Sequence, residues 1–257
     1  MPSGATKKRL LWVLLLNKSH DAEKNNASRV GGIDEGTFST WSWWFLTELS
    51  HLEHIVIDWE DRKIGDIKND CAASVDCTDC LFKTHKMANG QPDKRFCSCK
   101  FKKSALRCEV AVCILTSRIV WVSGPHPPGM WNDIEIFRKG LINMLEDGEQ
   151  IEADNGYLGE APRKCVIPDR SRPCVRDDNP RMKSRLQKRH ETANRRLKVY
   201  RSLNGVFRGS VSRHSVCFRA LAVLLNLAFH SGEQELFDVR EHDDTLSDDA
   251  AAALCGV

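Results

Sequence analysis

Cys71-Ala-Ala-Ser-Val75, leading into Asp76-Cys-Thr-Asp79, is where this 257-residue chain changes from helical to extended patterning. We read it as a strand that delivers an acid, Asp76, to its end. Downstream, Arg107 to Leu115 and Ile119 to Ser123 are two β-rich runs around Thr116-Ser117-Arg118, the pattern of a hairpin. Gly124-Pro-His-Pro-Pro-Gly129 is a turn, followed by an amphipathic helix from Trp131 to Leu145 with Ile134, Phe137, Leu141 and Met144 on its buried side. Glu149 to Ala153 is a further short strand, stopped by Asp154-Asn155-Gly156. Pro162 to Pro180 is a Pro- and Arg-rich loop, Arg181 to Leu203 a long basic helix, and Arg213 to His230 a core helix. Strand, hairpin, helix, strand, loop, helix, helix is a mixed α/β arrangement.

Upstream, residues 1–64 read as helical: Leu10 to Leu16, then Ala22 to Arg29 ending at Gly31-Gly32, then a third helix. Asp34 is placed to cap that third helix, with Phe38, Trp41, Phe45 and Leu49 on its buried side. Short helices around a glycine turn suggest a helix-turn-helix. The third helix lacks the Lys and Arg that a recognition helix presents to phosphates, so a packing subdomain is at least as good a reading. The expected division is 1–64 helical segment, 65–240 α/β domain, and 241–257 acidic disordered tail.

Charge and cysteine usage narrow the class. The net charge is only +3, with 41% hydrophobic and 28% charged residues, so one sizeable core is affordable and overall disorder is excluded. The distribution is uneven: Gly31 to Asp61 contains no Lys or Arg, Arg163 to Arg219 is strongly basic, and the tail from Glu235 is acidic. Such a basic block is a footprint for phosphate. Eleven cysteines, scattered through apolar segments and loops, suit reduced thiols better than a disulfide framework. Lys7-Lys8-Arg9 before Leu10–Leu16 imitates a signal peptide, but no small-x-small cleavage site follows. No run approaches the ~20 apolar residues of a membrane span, and Val216 to Phe229 carries Arg219 and Asn226.

The acids carry the chemistry. Asp76 and Asp154 both follow strands, and carboxylates at neighbouring strand ends can converge on a hard divalent cation, which takes oxygen ligands. Residues 76 and 78 share a face, so Asp79 points the other way if the strand continues, and Glu152 lies inside its strand. On the long helix, Met182, Leu186, Ala193, Leu197 and Tyr200 form one stripe. Glu191, Arg195 and Lys198 lie opposite, which would place an acid beside phosphate-binding cations. The competing reading of Glu191 is a surface acid in helical ion pairs.

The same segments resemble PIF/Harbinger-type DDE transposases. Ser74-Val-Asp-Cys-Thr-Asp79 is similar to that family's S-V-D-G-T-D segment, and Gly124-Pro-His-Pro-Pro-Gly129 with Asp133-Ile134 to its G-P-x-P-x-G…D-I stretch. Glu149 to Tyr157 is similar to E…A-D-x-G-Y, and Arg189-His-Glu-Thr-Ala-Asn-Arg-Arg-Leu-Lys198 to R-H-E-T-x-N-x-R-L-K. The element order also fits an RNase H-like domain, although many α/β folds share it. The resemblance implies an RNase H-like catalytic domain with Asp76, Asp154 and Glu191 as a carboxylate triad and metal ligands. Asp133 is an additional candidate ligand, against the reading that it is a first-turn acid favoured by the helix dipole. It further implies two Mg²⁺ or Mn²⁺ ions, double-stranded DNA at transposon ends as substrate, and strand cleavage with transfer. A nuclear location, an accessory DNA-binding protein and a homo-oligomer belong to the same expectation. Lys188, Arg189, Arg195, Lys198 and Arg201 are the expected phosphate contacts, and His190 is read as structural.

The chain departs from the family pattern. Cys77 stands where glycine is usual, which would strain the backbone if φ were positive there. Cys108 stands where an aromatic is usual, and the N-terminal helices read as clipped relative to longer relatives. Two alternatives therefore stay open. One is a domesticated or decayed transposase that binds DNA or protein without cutting. The other is a zinc module built from Cys77-x-x-Cys80 and Cys97-x-Cys99.

Overall fold

The computed structural model describes residues 4–63, 71–84, 91–167 and 190–231. Most of the expected Pro- and Arg-rich loop, the start of the basic helix with Lys188 and Arg189, and the acidic tail lie outside them.

Four helices lead in. These are α1 (Lys7–Ser19), α2 (Glu23–Arg29), α3 (Glu35–His51) and the single turn α4 (Glu53–Val56). Caps set their starts: Thr6 accepts from Arg9 N, and Asp34 accepts from Thr37 N as its position suggested. The strands are β1 (Cys71–Leu81), β2 (Cys97–Ser98), β3 (Lys103–Cys113), β4 (Ile119–His126), β5 (Gln150–Glu152) and β6 (Cys165–Val166). Between β4 and β5 lies α5 (Asp133–Lys139). After β6 come the helical residues 190–197 (α6), then α7 (Arg201–Asn204) and α8 (Val211–His230).

The strands form one mixed sheet in the order β2-β3-β1-β5-β6, with β4 on β3. β1 pairs antiparallel with β3 from Ala73↔Cys113 to Leu81↔Ala105, while β5 and β6 run parallel to β1. Alternation along β1 divides the sheet into two covered faces. Cys80, with Cys108, Val110 and Val112 of β3, packs under Ala193 and Leu197 of α6 and Phe218, Leu221 and Ala222 of α8. Ala73 and Val75, with Ala111 and Cys113, pack under Phe137, Leu141 and Tyr157. A third cluster joins Trp12, Val13, Leu16, Phe38, Phe45 and Leu46 of the leading helices to Phe82, Leu106, Phe207, Cys217 and Ala220. The N-terminal helices thus share a core with the sheet.

Four sequence expectations need correction. Asp76 is not at a strand end: β1 runs on to Leu81 because β3 offers it a partner as far as Ala105. Cys77 is an ordinary strand residue paired with Glu109, and among the described residues the positive-φ non-glycine ones are His20, Lys102 and Ser117. Replacing the family's glycine therefore costs no backbone strain.

The helix expected from Trp131 to Leu145 ends at Lys139, and a 3-10 turn, Leu141–Met144, continues it beyond Gly140. Its buried residues are Ile136, Phe137 and Leu141, whereas Met144 is exposed, because the break at Gly140 resets the 3.6-residue period. The long basic helix is likewise interrupted at 198–200. Tyr200 adopts extended dihedrals (φ −83°, ψ 123°), which turns Leu203 of α7 into the core.

Candidate functional site

The site begins with parallel pairing. Ser74 of β1 is level with Glu152 of β5, so Asp154, two residues on, comes level with Asp76 on the same face. Asp154 caps the 3-10 turn Asn155–Glu160, its Oδ1 accepting from Gly156 N at 2.8 Å. Asp133 joins them as the first residue of α5, whose start is fixed by a capping box between Asn132 and Glu135. A methyl group on Gly156 would lie 2.9 Å from Asp154 Oδ1 and 3.0 Å from Asp133 Oδ2. The two carboxylates therefore flank a gap that only glycine leaves open.

Asp76 bears the electrostatic consequence. Burial disfavours its charged form, the negative charge of Asp154 adds to this, and Asp133 adds again. Together they push its carboxyl up to about 7 despite the amide of Cys77 at 2.7 Å. Asp133 is raised as well, chiefly by burial, with Arg107 opposing. Two raised acids, Asp76 and Asp133, beside the negative charge of Asp154 are a donor set suited to a hard divalent cation, whose charge would offset the repulsion. In that chemical sense the residues fit the metal that the sequence implies. As they stand, no three His, Cys, Asp or Glu side chains among the described residues close into a metal-ligand group.

Helix α6 lies along the Asp76 face. Asn194 Nδ2 donates to Asp76 Oδ2 at 3.4 Å, and Lys198 Nζ donates to the carbonyl of Asp79 at 3.1 Å. Glu191 stands one turn before Asn194 and is exposed, as are Arg195 and, on α7, Arg201. The charges acting most strongly on Asp76 are Asp154, Asp133 and Lys100, not Glu191. His190 is buried between α6 and β1, its Nδ1 3.4 Å from Ser74 Oγ, and burial lowers its pKa to about 4.

The other face holds residues that the sequence did not single out as a set. Asp79 is buried and accepts from Arg107 Nε (2.7 Å), Arg107 Nη2 (3.0 Å) and Ser98 Oγ (2.6 Å). Arg107 Nη1 donates to Asp133 Oδ1 at 2.7 Å, so one guanidinium ties β1, β3 and the start of α5 together. Beside it, buried Glu109 accepts from Trp121 Nε1 at 3.0 Å, and desolvation pushes its carboxyl up to about 8. No local sequence signal marks this group, because its members meet only through the β1–β3 register.

The zinc alternative fails on alternation. Cys77 faces Tyr157, its Sγ 3.5 Å from the phenol oxygen, whereas Cys80 is buried on the opposite face. Cys97 and Cys99 are exposed on β2 and the turn after it. Among the described residues no helix is long and apolar enough to cross a membrane.

A mixed sheet carrying clustered acids defines a candidate nuclease. The comparison with known families agrees: residues 75–226, more than half of the chain, match the family described as DDE superfamily endonuclease, and the chain belongs to that family. No curated protein and no solved structure matched it. Membership implies a transposase- or endonuclease-type activity on DNA, and the family generally uses divalent metal ions.

Proposed function

We propose that the chain is a transposon-derived DDE endonuclease or transposase that cuts DNA phosphodiesters at transposon ends and transfers the strands. The observation that carries this reading is the gathering of Asp76, Asp133 and Asp154, with Asp76 pushed up to about 7. The sheet, with β1, β3 and β4 antiparallel and β5 and β6 parallel to β1, supports an RNase H-like architecture. Asp76 and Asp154 would hold Mg²⁺ or Mn²⁺, two ions in all, with Glu191 as third ligand and Asp133 as an additional one. When bound, such ions supply Lewis-acid polarisation of the phosphodiester and acidify the attacking water.

The chain's own groups do the rest. Asn194 orients Asp76, and Arg107 holds Asp133 at the mouth of the site. Lys188, Arg189, Arg195, Lys198 and Arg201 contact phosphates. The reading places the protein in the nucleus on double-stranded DNA, with two copies to hold two ends. An accessory protein supplies sequence recognition, because the third leading helix lacks cations.

The test is Asp154→Asn, which keeps shape but removes a charge needed to hold a divalent ion. The variant should fold and retain most DNA affinity, since phosphate contacts carry it. Cleavage with Mg²⁺ or Mn²⁺ should fall by several orders of magnitude, because transition-state stabilisation worth several kcal/mol is lost with the metal. Equal residual cleavage in wild type and variant would refute the assignment. The exposed Glu191 and the lack of a closed ligand group among the described residues favour a second reading, a domesticated or decayed transposase that binds DNA or protein without cutting. Wild-type binding without cleavage under either metal would establish it.

A further inference from the structure

Between β1 and β3 the chain runs Lys94-Arg-Phe-Cys-Ser-Cys-Lys-Phe-Lys-Lys103, with four lysines beside Arg95, which is paired to the preceding Asp93. It folds as a hairpin: β2 pairs with the start of β3, Lys102 N closes the turn onto Ser98 O at 2.8 Å, and Lys102 takes a left-handed φ of +53°. Lys94, Lys100, Lys102 and Lys103 are all exposed. Such a cluster, left in water, repels itself unless something anionic is meant to lie on it.

The hairpin is anchored to the carboxylates. Ser98 Oγ, fully buried, donates to Asp79, whose other partner Arg107 holds Asp133. Gly129 N donates to Arg95 O at 2.8 Å, and a methyl group on Gly129 would collide with Lys94 O, so the Pro-Gly turn presses directly on the hairpin backbone. At the tip, Lys100 is the cation whose charge reaches Asp76, and Phe101 lies 5.8 Å from Lys198 Nζ of the segment after α6. The cations of the hairpin and of the α6 segment thus form one surface beside the acids.

We infer that the 94–103 hairpin is a phosphate-binding arm that lays a DNA backbone across the carboxylate site, with Lys100 and Lys102 as its principal contacts and Ser98–Asp79 as its fixed hinge to the sheet. The inference rests on the reading of the chain as a DNA endonuclease and adds the surface that positions the strand. DNA rather than an acidic protein is the occupant, because exposed cations strung along a hairpin beside an endonuclease site match the regular phosphates of a nucleic-acid backbone.

The arm carries its own probes, the exposed thiols of Cys97 and Cys99. Wild-type protein in EDTA is titrated onto a short fluorescent DNA duplex, and alkylation of each cysteine is followed by peptide mass spectrometry with and without saturating DNA. Alkylation of Cys97 and Cys99 should slow several-fold. Lys100→Gln/Lys102→Asn, with Asn chosen because it tolerates the left-handed turn, should bind roughly ten-fold more weakly. Its slope of log affinity against log salt should be shallower by about two. Lys7→Gln/Lys8→Gln, the same charge change on exposed α1, should keep the wild-type slope. Bound DNA with unchanged thiol reactivity, an unchanged slope for the arm variant, or an equal loss in the α1 variant would overturn the arm while leaving the endonuclease reading intact. Failure of the wild type to bind any duplex would remove both.

Discussion

Arg107 is the residue on which the site's geometry turns. Its guanidinium forks onto Asp79, whose side chain is only 3% exposed, and reaches Asp133 with its remaining nitrogen. Arginine's planar, permanently charged fork suits this double duty, and lysine's single point charge does not. Removing one partner of a buried pair leaves the other uncompensated, typically at about 3–5 kcal/mol. Arg107→Met should therefore lower the free energy of unfolding in urea by about 3 kcal/mol. The double variant Asp79→Asn/Arg107→Met should recover part of that loss, because the deeply buried Asp79 charge goes with its partner and only the more exposed Asp133 loses its cation. Equal stability of wild type and Arg107→Met would mean that the bridge is not made in solution. Cys77, by contrast, lies in extended backbone opposite Glu109, so the departure from the family's glycine does not itself disable the strand.

Among the elements, one amide joins the C-terminal half of α8 to the start of β4. Asn226 Oδ1 accepts from Ile119 N at 2.9 Å, and its Nδ2 donates to Ile119 O at 2.7 Å and to Val56 O at 3.1 Å. Without Asn226 the amide and carbonyl of Ile119 lose these buried partners. In the sequence, Asn226 served only to argue against a membrane span; here it closes the edge of a sheet. Asn226→Ala should cost about 3 kcal/mol, the sum expected for unpaired buried polar groups. It should also speed hydrogen exchange at Ile119 and along the first residues of β4. Exchange unchanged at Ile119 would show that water or another group replaces the amide.

For the whole molecule, the joint between the leading helices and the sheet contains a buried titratable group. His214 of α8 lies edge-on to Phe207 (centroids 5.1 Å, 89°), stacks toward Phe218 and, among the described residues, has no hydrogen-bond partner on either ring nitrogen. Burial, with the neighbouring His20 adding, lowers its pKa to about 4. The unfolded chain takes up that proton near pH 6.5, so the stability gained by keeping His214 neutral is complete above 6.5. It is lost as pH falls from 6.5 to 4. At about 1.4 kcal/mol per pH unit, the loss across that window is roughly 3 kcal/mol. His214→Leu should flatten the decline in stability between pH 6.5 and 4. Because the cluster around it includes Trp12, Phe38 and Leu46, helices and sheet should melt in one transition at either pH. Two separated transitions, or an unaltered acid slope in His214→Leu, would contradict this.

The sequence by itself determined what is local and periodic. Asp34 as a cap, the hairpin at Thr116–Arg118, Ala193 and Leu197 as the buried stripe of α6, and the short motifs that place the chain among DDE endonucleases depend on neighbours a few residues apart. Periods of 2.0 and 3.6 residues carry that information without any knowledge of the fold. Only the tertiary structure decided where β1 ends, since the length of an antiparallel strand is set by its partner and not by its own residues. It alone brought Arg107 to Asp79 and Asp133, 28 and 26 residues away, and set the cationic hairpin against the acids. Those contacts are fixed by strand register and by the burial of charge, and neither quantity is written in any single stretch of sequence.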